Sequence, residues 1–564
     1  MTMTSFPPGL VLLLGAFLLP IVGKNVRSIL ILALPLVTLG LVWNLPNGLF
    51  AISTMLDYQL ILVRSDSLSR LFATVFCIMT FAGGLYALKQ KSVMELVAVF
   101  VYAGSAIGAV FSGDLISLFI FWEIMAVAST MVILSVGSNV GNKVSMRYLL
   151  VHIFGGSLFL VGILAYVLDT GSTAFTSMQP DSFGTVLILS GFLINAAAPP
   201  LSAWLSDAYS EASFSGTVFL SAFTTKTAVY VLLRGFPGTE ILIFIGVFMI
   251  FYGIIYALLE NDMRRILAYS IVNQVGFMVT GIGIGTEMAL NGVAAHAFTH
   301  IIYKALLLMS AGSVLYMTGK RKCTDLGGLF QSMPLTTICG IIGALSISSF
   351  PLTSGFISKS MISQSAADAN LMIVWFFLLA ASAGVFLHAG IKFPWFVFFQ
   401  KDSGLRPPDP PWNMKLAMIL FSGLCIGLGI WPELLYDMLP YPVTYEPYTV
   451  THVVNMLQIL MFSGFAFFLM LPLMRRTLTI TLDFDWIYRR ALPVVLQNAF
   501  SVIWKVDSAI RQAFLIRFNQ SLAFVARRYQ SPSSLLSRTY PAGSMVMWVA
   551  VILAAYLILS FISK

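Results

Sequence analysis

The chain has 564 residues, 58% of them hydrophobic and only 10% charged, with a mean hydropathy of +0.90; this composition excludes an ordinary soluble enzyme and calls for lipid as the solvent. The net charge of +9 comes from basic residues that stand singly or in pairs between apolar runs, which marks membrane topology and excludes a groove for nucleic acid. Apolar runs recur from near Leu10 to Ile562, too many for a single-anchor receptor, and no alternation over about ten residues recurs as an outer-membrane barrel requires.

In chain order the sequence predicts about sixteen spanning helices, the first eight near 9–22, 28–43, 71–88, 93–111, 115–136, 146–168, 183–206 and 213–233. The others fall near 240–259, 266–283, 288–317, 333–365, 371–400, 415–431, 452–474 and 543–562. The first run lacks a basic leader and a clear small-residue cleavage site, and is read as an uncleaved helix. Positive charge collects in alternate loops: Lys24 and Arg27, Lys89 and Lys91, Lys143 and Arg147, Arg264 and Arg265, Lys320 to Lys322, then Lys401, Arg406 and Lys415. The opposite loops hold little beyond Arg64, Arg70 and Arg234, so the basic loops are expected in the cytoplasm and both termini outside. The acidic connection around Asp207 and Glu211 breaks the pattern. Cys77, Cys323, Cys339 and Cys425 are widely spaced, without the grouping of a zinc or iron-sulfur site, and are expected as reduced structural thiols.

Two spans carry interruptions. Tandem Pro199 and Pro200 follow Asn195 inside 183–206, and Pro351 with Gly355 interrupts 333–365. Proline removes a backbone donor and clashes with the preceding turn; paired breaks in two halves of a membrane protein point to a transport site, whereas a break alone is also an ordinary packing kink. From Asp483 to about Arg538, aromatic residues such as Trp486, Trp504 and Phe514 mix with Arg489, Arg490, Arg511, Arg517, Arg527 and Arg528, the composition of an amphipathic helix at the cytoplasmic interface.

Charged residues inside spans carry the chemistry, because each costs roughly 2.5–3.5 kcal/mol at the bilayer centre even on the lenient insertion scale. Glu123 and Lys226 have apolar neighbours on both sides, read either as a proton-handling pair or as an inert buried ion pair. Lys304 and Lys359 lie in later spans, and Lys392, with His388, is an accessory candidate nearer a cytoplasmic end. His296, His300 and Lys304 are spaced i, i+4, i+8, which drifts only about 40 degrees around a helix and sets them on one face roughly 6 Å apart. Histidine beside a lysine desolvated by burial suits proton gain and loss near neutrality. As a metal site the two histidines lack a third ligand in reach. Gly281-Ile-Gly283-Ile-Gly285 follows a membrane helix and has no βαβ unit, so it is no dinucleotide loop. No nucleophile elbow, Walker loop or HExxH occurs, and the sequence calls for no cofactor.

Trp122-Glu123, the run Pro199 to Ala208, Asp262 to Ser270, His296 to Leu307 and Gly355 to Lys359 together resemble the antiporter-like proton-channel family. That family comprises the large antiporter-like subunits of respiratory complex I and the A-type and D-type subunits of Mrp-type multisubunit sodium/proton antiporters. Asn195 to Pro200, Phe223 to Tyr230 and Leu482 to Trp486 most resemble the bacterial D-type subunits of Mrp antiporters. The resemblance implies an all-α polytopic membrane protein with two inverted five-helix repeats, each holding a broken helix. It divides the chain into N-terminal helices (1–92), a first repeat (93–233), a second (240–400), C-terminal helices (401–474), and an amphipathic segment with a closing helix (475–564). It implies proton transfer through Glu123, Lys226, His296, His300, Lys304 and Lys359. Asn195 stands where relatives carry a lysine, and Ser202 where they carry a histidine, so either Lys226 is the partner of Glu123 or the first half-channel is weakened and transport takes a modified route. The function implied is a proton-translocating subunit of a sodium or potassium/proton antiporter in a bacterial inner membrane, with other antiporter subunits as partners. A redox-driven pump module of a complex I-like oxidoreductase or membrane hydrogenase is the alternative.

Overall fold

The computed structural model describes residues 6–55, 58–472, 483–529 and 539–562. An apolar run in lipid must satisfy its backbone internally, which makes helices of these runs, and side-chain caps fix where several of them begin. After α1 (Gly9–Leu18) and α2 (Lys24–Asn44) come two strands, β1 (Gly48–Met55) and β2 (Tyr58–Ser65), paired antiparallel with Gly48 opposite Ser65. Asp66 opens α3 (Ser67–Tyr86) through a reciprocal capping box with Ser69. Ser92 caps α4 (Val93–Phe111), Asp114 caps α5 (Leu115–Leu134), and Ser138 caps α6 (Asn139–Thr170). Each cap supplies an acceptor to backbone N–H groups that the helix leaves unpaired.

The chain continues through α7 (Phe183–Asn195), α8 (Ala203–Glu211), α9 (Gly216–Leu220), α10 (Thr224–Gly235) and α11 (Ile241–Leu259). Then come α12 (Met263–Ile284), α13 (Glu287–Thr318), α14 (Pro334–Ile347), α15 (Ser354–Asp368) and α16 (Met372–Val385). The last continues as π-helical turns over Phe386–Lys392 and Trp395–Phe399. The C-terminal helices of this part are α17 (Trp412–Ile430), the short α18 (Glu433–Tyr436) and α19 (Val450–Leu469).

Both predicted interruptions are present, α7 giving way to α8 across Pro199–Pro200 and α14 to α15 across Pro351. A third, unforeseen break at Ser221–Phe223 divides α9 from α10. Among the described residues thirteen helices are long and apolar enough to cross a membrane. Gly9–Leu18, Phe183–Asn195 and Pro334–Ile347 are shorter apolar helices that fall within the other three predicted spans. The strand pair is a departure from the all-helical expectation. Asp114, besides capping α5, accepts a hydrogen bond from the Ile61 backbone N–H at 2.7 Å and ties the hairpin to the helices.

The chain separates into two units, Met1–Phe484 and Asp485–Lys564. In the first, α12 and the pair α9–α10 are buried along their lengths, whereas α2 and α19 are largely exposed. Neighbouring helices pack in sequence order through α4, α5, α6 and α7, and α13 packs against α10, α12, α14, α15 and α17. All four cysteines are free and buried. The second unit holds α20 (Leu492–Tyr529), preceded by a π-helical turn at Ile487–Ala491, and α21 (Ala542–Ile562). A long helix is therefore present within the predicted 483–538 segment, with none of its residues buried. Leu482, Arg538 and the junction at 474–475 lie outside the described residues.

Candidate functional site

The α13 stripe forms as its spacing predicts. His296, His300 and Lys304 are fully buried, and the two imidazoles lie nearly parallel with centroids 6.1 Å apart. His296 is anchored from two other helices, its Nε2 lying 3.1 Å from Gln274 Oε1 on α12 and its Nδ1 3.1 Å from Ser358 Oγ on α15. A carbonyl oxygen only accepts, so Nε2 carries the hydrogen and, in the neutral imidazole, Nδ1 accepts from the serine hydroxyl. Tyr303 donates to the same Gln274 oxygen at 3.2 Å. Lys304 Nζ donates to Ser270 Oγ at 2.9 Å and Leu267 O at 3.3 Å. Neither ring nitrogen of His300 has a hydrogen-bond partner.

Lys359 follows Ser358 and brings the second broken helix into this cluster. Its Nζ donates to Ile347 O at 2.8 Å, the carbonyl left open where α14 ends, and lies 5.0 Å from the Phe277 ring centroid. Lys359 also lines a cavity of about 640 Å³ together with Ser363, Gln364, His452, Asn455 and Gln458. Thus the lysine borders both the buried stripe and a cavity whose walls are mainly apolar, Trp375, Leu379 and Phe462 among them, with a few polar side chains.

The first half is built on the same device. Lys226 Nζ donates to Ser221 O at 2.7 Å, across the break between α9 and α10, and to Thr225 Oγ1 at 3.1 Å. A helix C-terminus carries partial negative charge, which favours an ammonium. The pairing anticipated between Lys226 and Glu123 is absent: among the described residues no ion pair joins them. The reason lies in helix order, since α4 packs against both α5 and α10, and α10 turns otherwise to α7, α12 and α13. Glu123 Oε1 is instead buried without a hydrogen-bond partner and presses on α6, where a Cβ added to Gly156 would meet it at 1.9 Å. The same carboxylate borders a recess lined by Phe17, Val97, Val101 and Met131.

Asn195 reaches α6 from the other side, its Oδ1 lying 3.6 Å from where a Cβ on Gly155 would stand. Both of its amide atoms are buried and unpartnered. One turn earlier on α6 sits His152, which the sequence analysis does not single out. It is buried, its Nδ1 is 2.9 Å from Tyr148 O, its Nε2 has no partner, and its ring lies 4.6 Å from that of Trp204 on α8. The criterion that singles out Glu123, an ionisable residue within an apolar run, finds His152 as well. Gln274 and Ser358 give no such signal, because neutral polar residues occur in many spans.

The accessory candidates divide. Lys392 Nζ donates to the carbonyls of Ala257, Leu258 and Glu260 at 3.0, 2.5 and 2.6 Å, closing the C-terminus of α11. His388 Nδ1 lies 2.8 Å from Gly384 O and its Nε2 is buried without a partner. The acidic exception to the loop pattern is explained by its partners: Asp207 meets Arg147 at 3.4 Å and Arg265 at 3.5 Å, and Glu211 meets Arg321 at 2.9 Å. Arg264 donates to the carbonyls of Ser210, Ala212 and Ser213 where α8 ends. Burial raises the Asp262 carboxyl above its ordinary range, although Arg321 stands 3.0 Å away. On the opposite face, burial pulls Asp66 upward but the hydrogen bond and charge of Arg234, at 2.8 Å, outweigh it and hold the carboxyl below its usual range.

Comparison with known proteins matches residues 112–386 to the family described as NADH:quinone oxidoreductase/Mrp antiporter, TM. The chain is 29% identical to the D-type Na(+)/H(+) antiporter subunit of Alkalihalophilus pseudofirmus, over 56% of this chain and 67% of that protein. It is 30% identical to the N-type NADH-quinone oxidoreductase subunit of Desulforudis audaxviator, over 59% of this chain and 72% of that one. Among solved structures, a chain of the Mrp complex from Dietzia sp. superposes with a TM-score of 0.68 at 20% identity, covering 82% of this chain and 100% of that chain.

Proposed function

From the premise that the chain belongs to the NADH:quinone oxidoreductase/Mrp antiporter family of membrane subunits, we propose that it is the proton-translocating subunit of a multisubunit sodium or potassium/proton antiporter. The observation that carries the reading is the succession of buried protonatable groups from Lys226 through the α13 stripe to Lys359 and the cavity it lines. His300 and His152 keep ring nitrogens unpartnered, the condition in which an imidazole can exchange a proton with water. Each broken-helix lysine rests on an opened carbonyl, so its charged form is stabilised without an acid and responds to small shifts of the helix end. In this reading 93–233 and 240–400 are the two halves of the path, inverted with respect to each other. Partner subunits bind around the exposed rim, the basic loops face the cytoplasm of a bacterial inner membrane, and both termini lie outside.

In everted vesicles containing the assembled complex, Glu123→Gln and Lys359→Ala are expected to abolish cation-dependent proton movement while leaving the complex intact. Wild-type transport in both variants sinks the reading. A second reading, a pump module driven by a redox complex, draws support from the relative in Desulforudis audaxviator; proton movement that requires a quinone and an electron donor, and ignores sodium and potassium, selects it.

A further inference from the structure

Asp483 lies beside the first broken helix, 231 residues away in sequence from the tyrosine that holds it. Its Oδ1 accepts from the Tyr252 hydroxyl at 2.7 Å and its Oδ2 from the same hydroxyl at 2.9 Å and from Tyr269 at 3.1 Å. Ser202, which opens α8 just past the break, donates to the Tyr252 oxygen at 3.1 Å. Phe484 holds the position by packing against Phe248 and Tyr252, each with ring centroids 6.1 Å apart. Asp483 is itself half-buried. Tyr252 stands seven residues before the end of α11 and Tyr269 six after the start of α12, so the carboxylate sits about 10 Å below the basic-loop face at 1.5 Å per helical residue.

The hydrogen bonds have a fixed sense. An ionised carboxylate only accepts, so Tyr252 donates to Asp483, and Ser202 therefore donates to the Tyr252 oxygen. Three oxygens thus form a line along which every hydrogen points from the helix break toward Asp483. Behind Ser202 the break holds Trp204, whose Nε1 donates to Ile194 O at 3.1 Å and whose ring touches His152.

We propose that Asp483 is the proton-release carboxylate of the first half-path, fed through the hydroxyls of Ser202 and Tyr252. The phenolic proton of Tyr252 passes to the carboxylate as the hydroxyl proton of Ser202 passes to the phenol oxygen. The interior returns a proton to Ser202, and the neutral acid gives its own to water at the basic-loop face, so one proton is moved and no electron. Tyr269 positions the carboxylate. The inference rests on the proton-translocating reading above and deepens it by assigning an outlet.

The test uses the whole complex in vesicles. Asp483→Asn keeps the shape and an acceptor for Tyr252 but cannot carry the proton; it is expected to slow cation-dependent proton movement about tenfold or more, the scale of losing a positioned acid–base group. Millimolar formate or azide should restore most of the rate, and Asp483→Glu should retain it. Tyr252→Phe is expected to show the same loss, and the double variant Asp483→Asn/Tyr252→Phe no further loss, because both act on one line. Wild-type rates in Asp483→Asn overturn the proposal, as does a loss that formate and azide leave unchanged, the mark of a residue that merely pins residues 483–484. Where Asp483→Asn fails to assemble, Tyr252→Phe and Asp483→Glu decide by the same criteria. A wild-type complex that moves no protons in response to cations refutes the parent reading instead, so the two failures are distinct.

Discussion

Glu123 is the most exacting residue of the first half because its carboxylate oxygen occupies the space that a side chain on Gly156 would need. Gly156→Ala is therefore expected to displace the carboxylate and lower transport as severely as Glu123→Gln, with an overpacking cost of about 1–3 kcal/mol. Vesicle assays and the melting temperature of the detergent-solubilised protein check the two effects separately. Asp66 offers a pH test outside the spans. Its folded pKa lies below the unfolded one, so its contribution to stability is complete above the unfolded value near 4 and falls away as pH drops through the folded one. Asp66→Asn should thus lower the melting temperature at neutral pH, with the difference from wild type narrowing below about pH 4. Much of the candidate site was legible at this scale, since Glu123, Lys226, Lys304 and Lys359 are charges in apolar runs. Which of them touch was not, because letters report spacing along one helix and are silent about which helices adjoin; the expected Glu123–Lys226 pair failed for that reason.

Two of the three helix breaks were readable from proline, and the one at Ser221–Phe223, which has no proline, was not. The second break is tightly closed: a Cβ on Gly355 would stand 1.8 Å from Ser346 O. Gly355→Ala is expected to push α15 away from the end of α14, separate Lys359 from Ile347 O, and lower proton movement at least about tenfold while the complex still assembles, on the sensitivity of positioned groups to displacements near 1 Å. A wild-type rate would show that the contact is dispensable. The β1–β2 hairpin escaped notice because its eight-residue strands are masked by the high hydropathy of everything around them. Its tie to Asp114 became visible only once the carboxylate and Ile61 N–H were placed together.

For the molecule as a whole, hydropathy and loop charge located an apolar helix in each predicted span, but among the described residues length and composition mark thirteen as long enough to cross a membrane. The broken spans read as continuous because hydropathy averages over a window and a break contributes few residues. Orientation can be measured directly, since the natural thiols are buried and leave a clean background. Lys401→Cys is expected to react with an impermeant maleimide only from the cytoplasm, and Asp181→Cys only from outside; the reverse pattern would invert the arrangement of both termini. The ammonium–carbonyl contacts of Lys226 and Lys359 reach furthest in consequence. In the proposed function each lysine closes the helix end it caps, so a departing proton is expected to loosen that backbone end and an arriving one to tighten it. On that proposal turnover is expected to follow the microsecond-to-millisecond clock of helix rearrangement, orders of magnitude slower than any single hop.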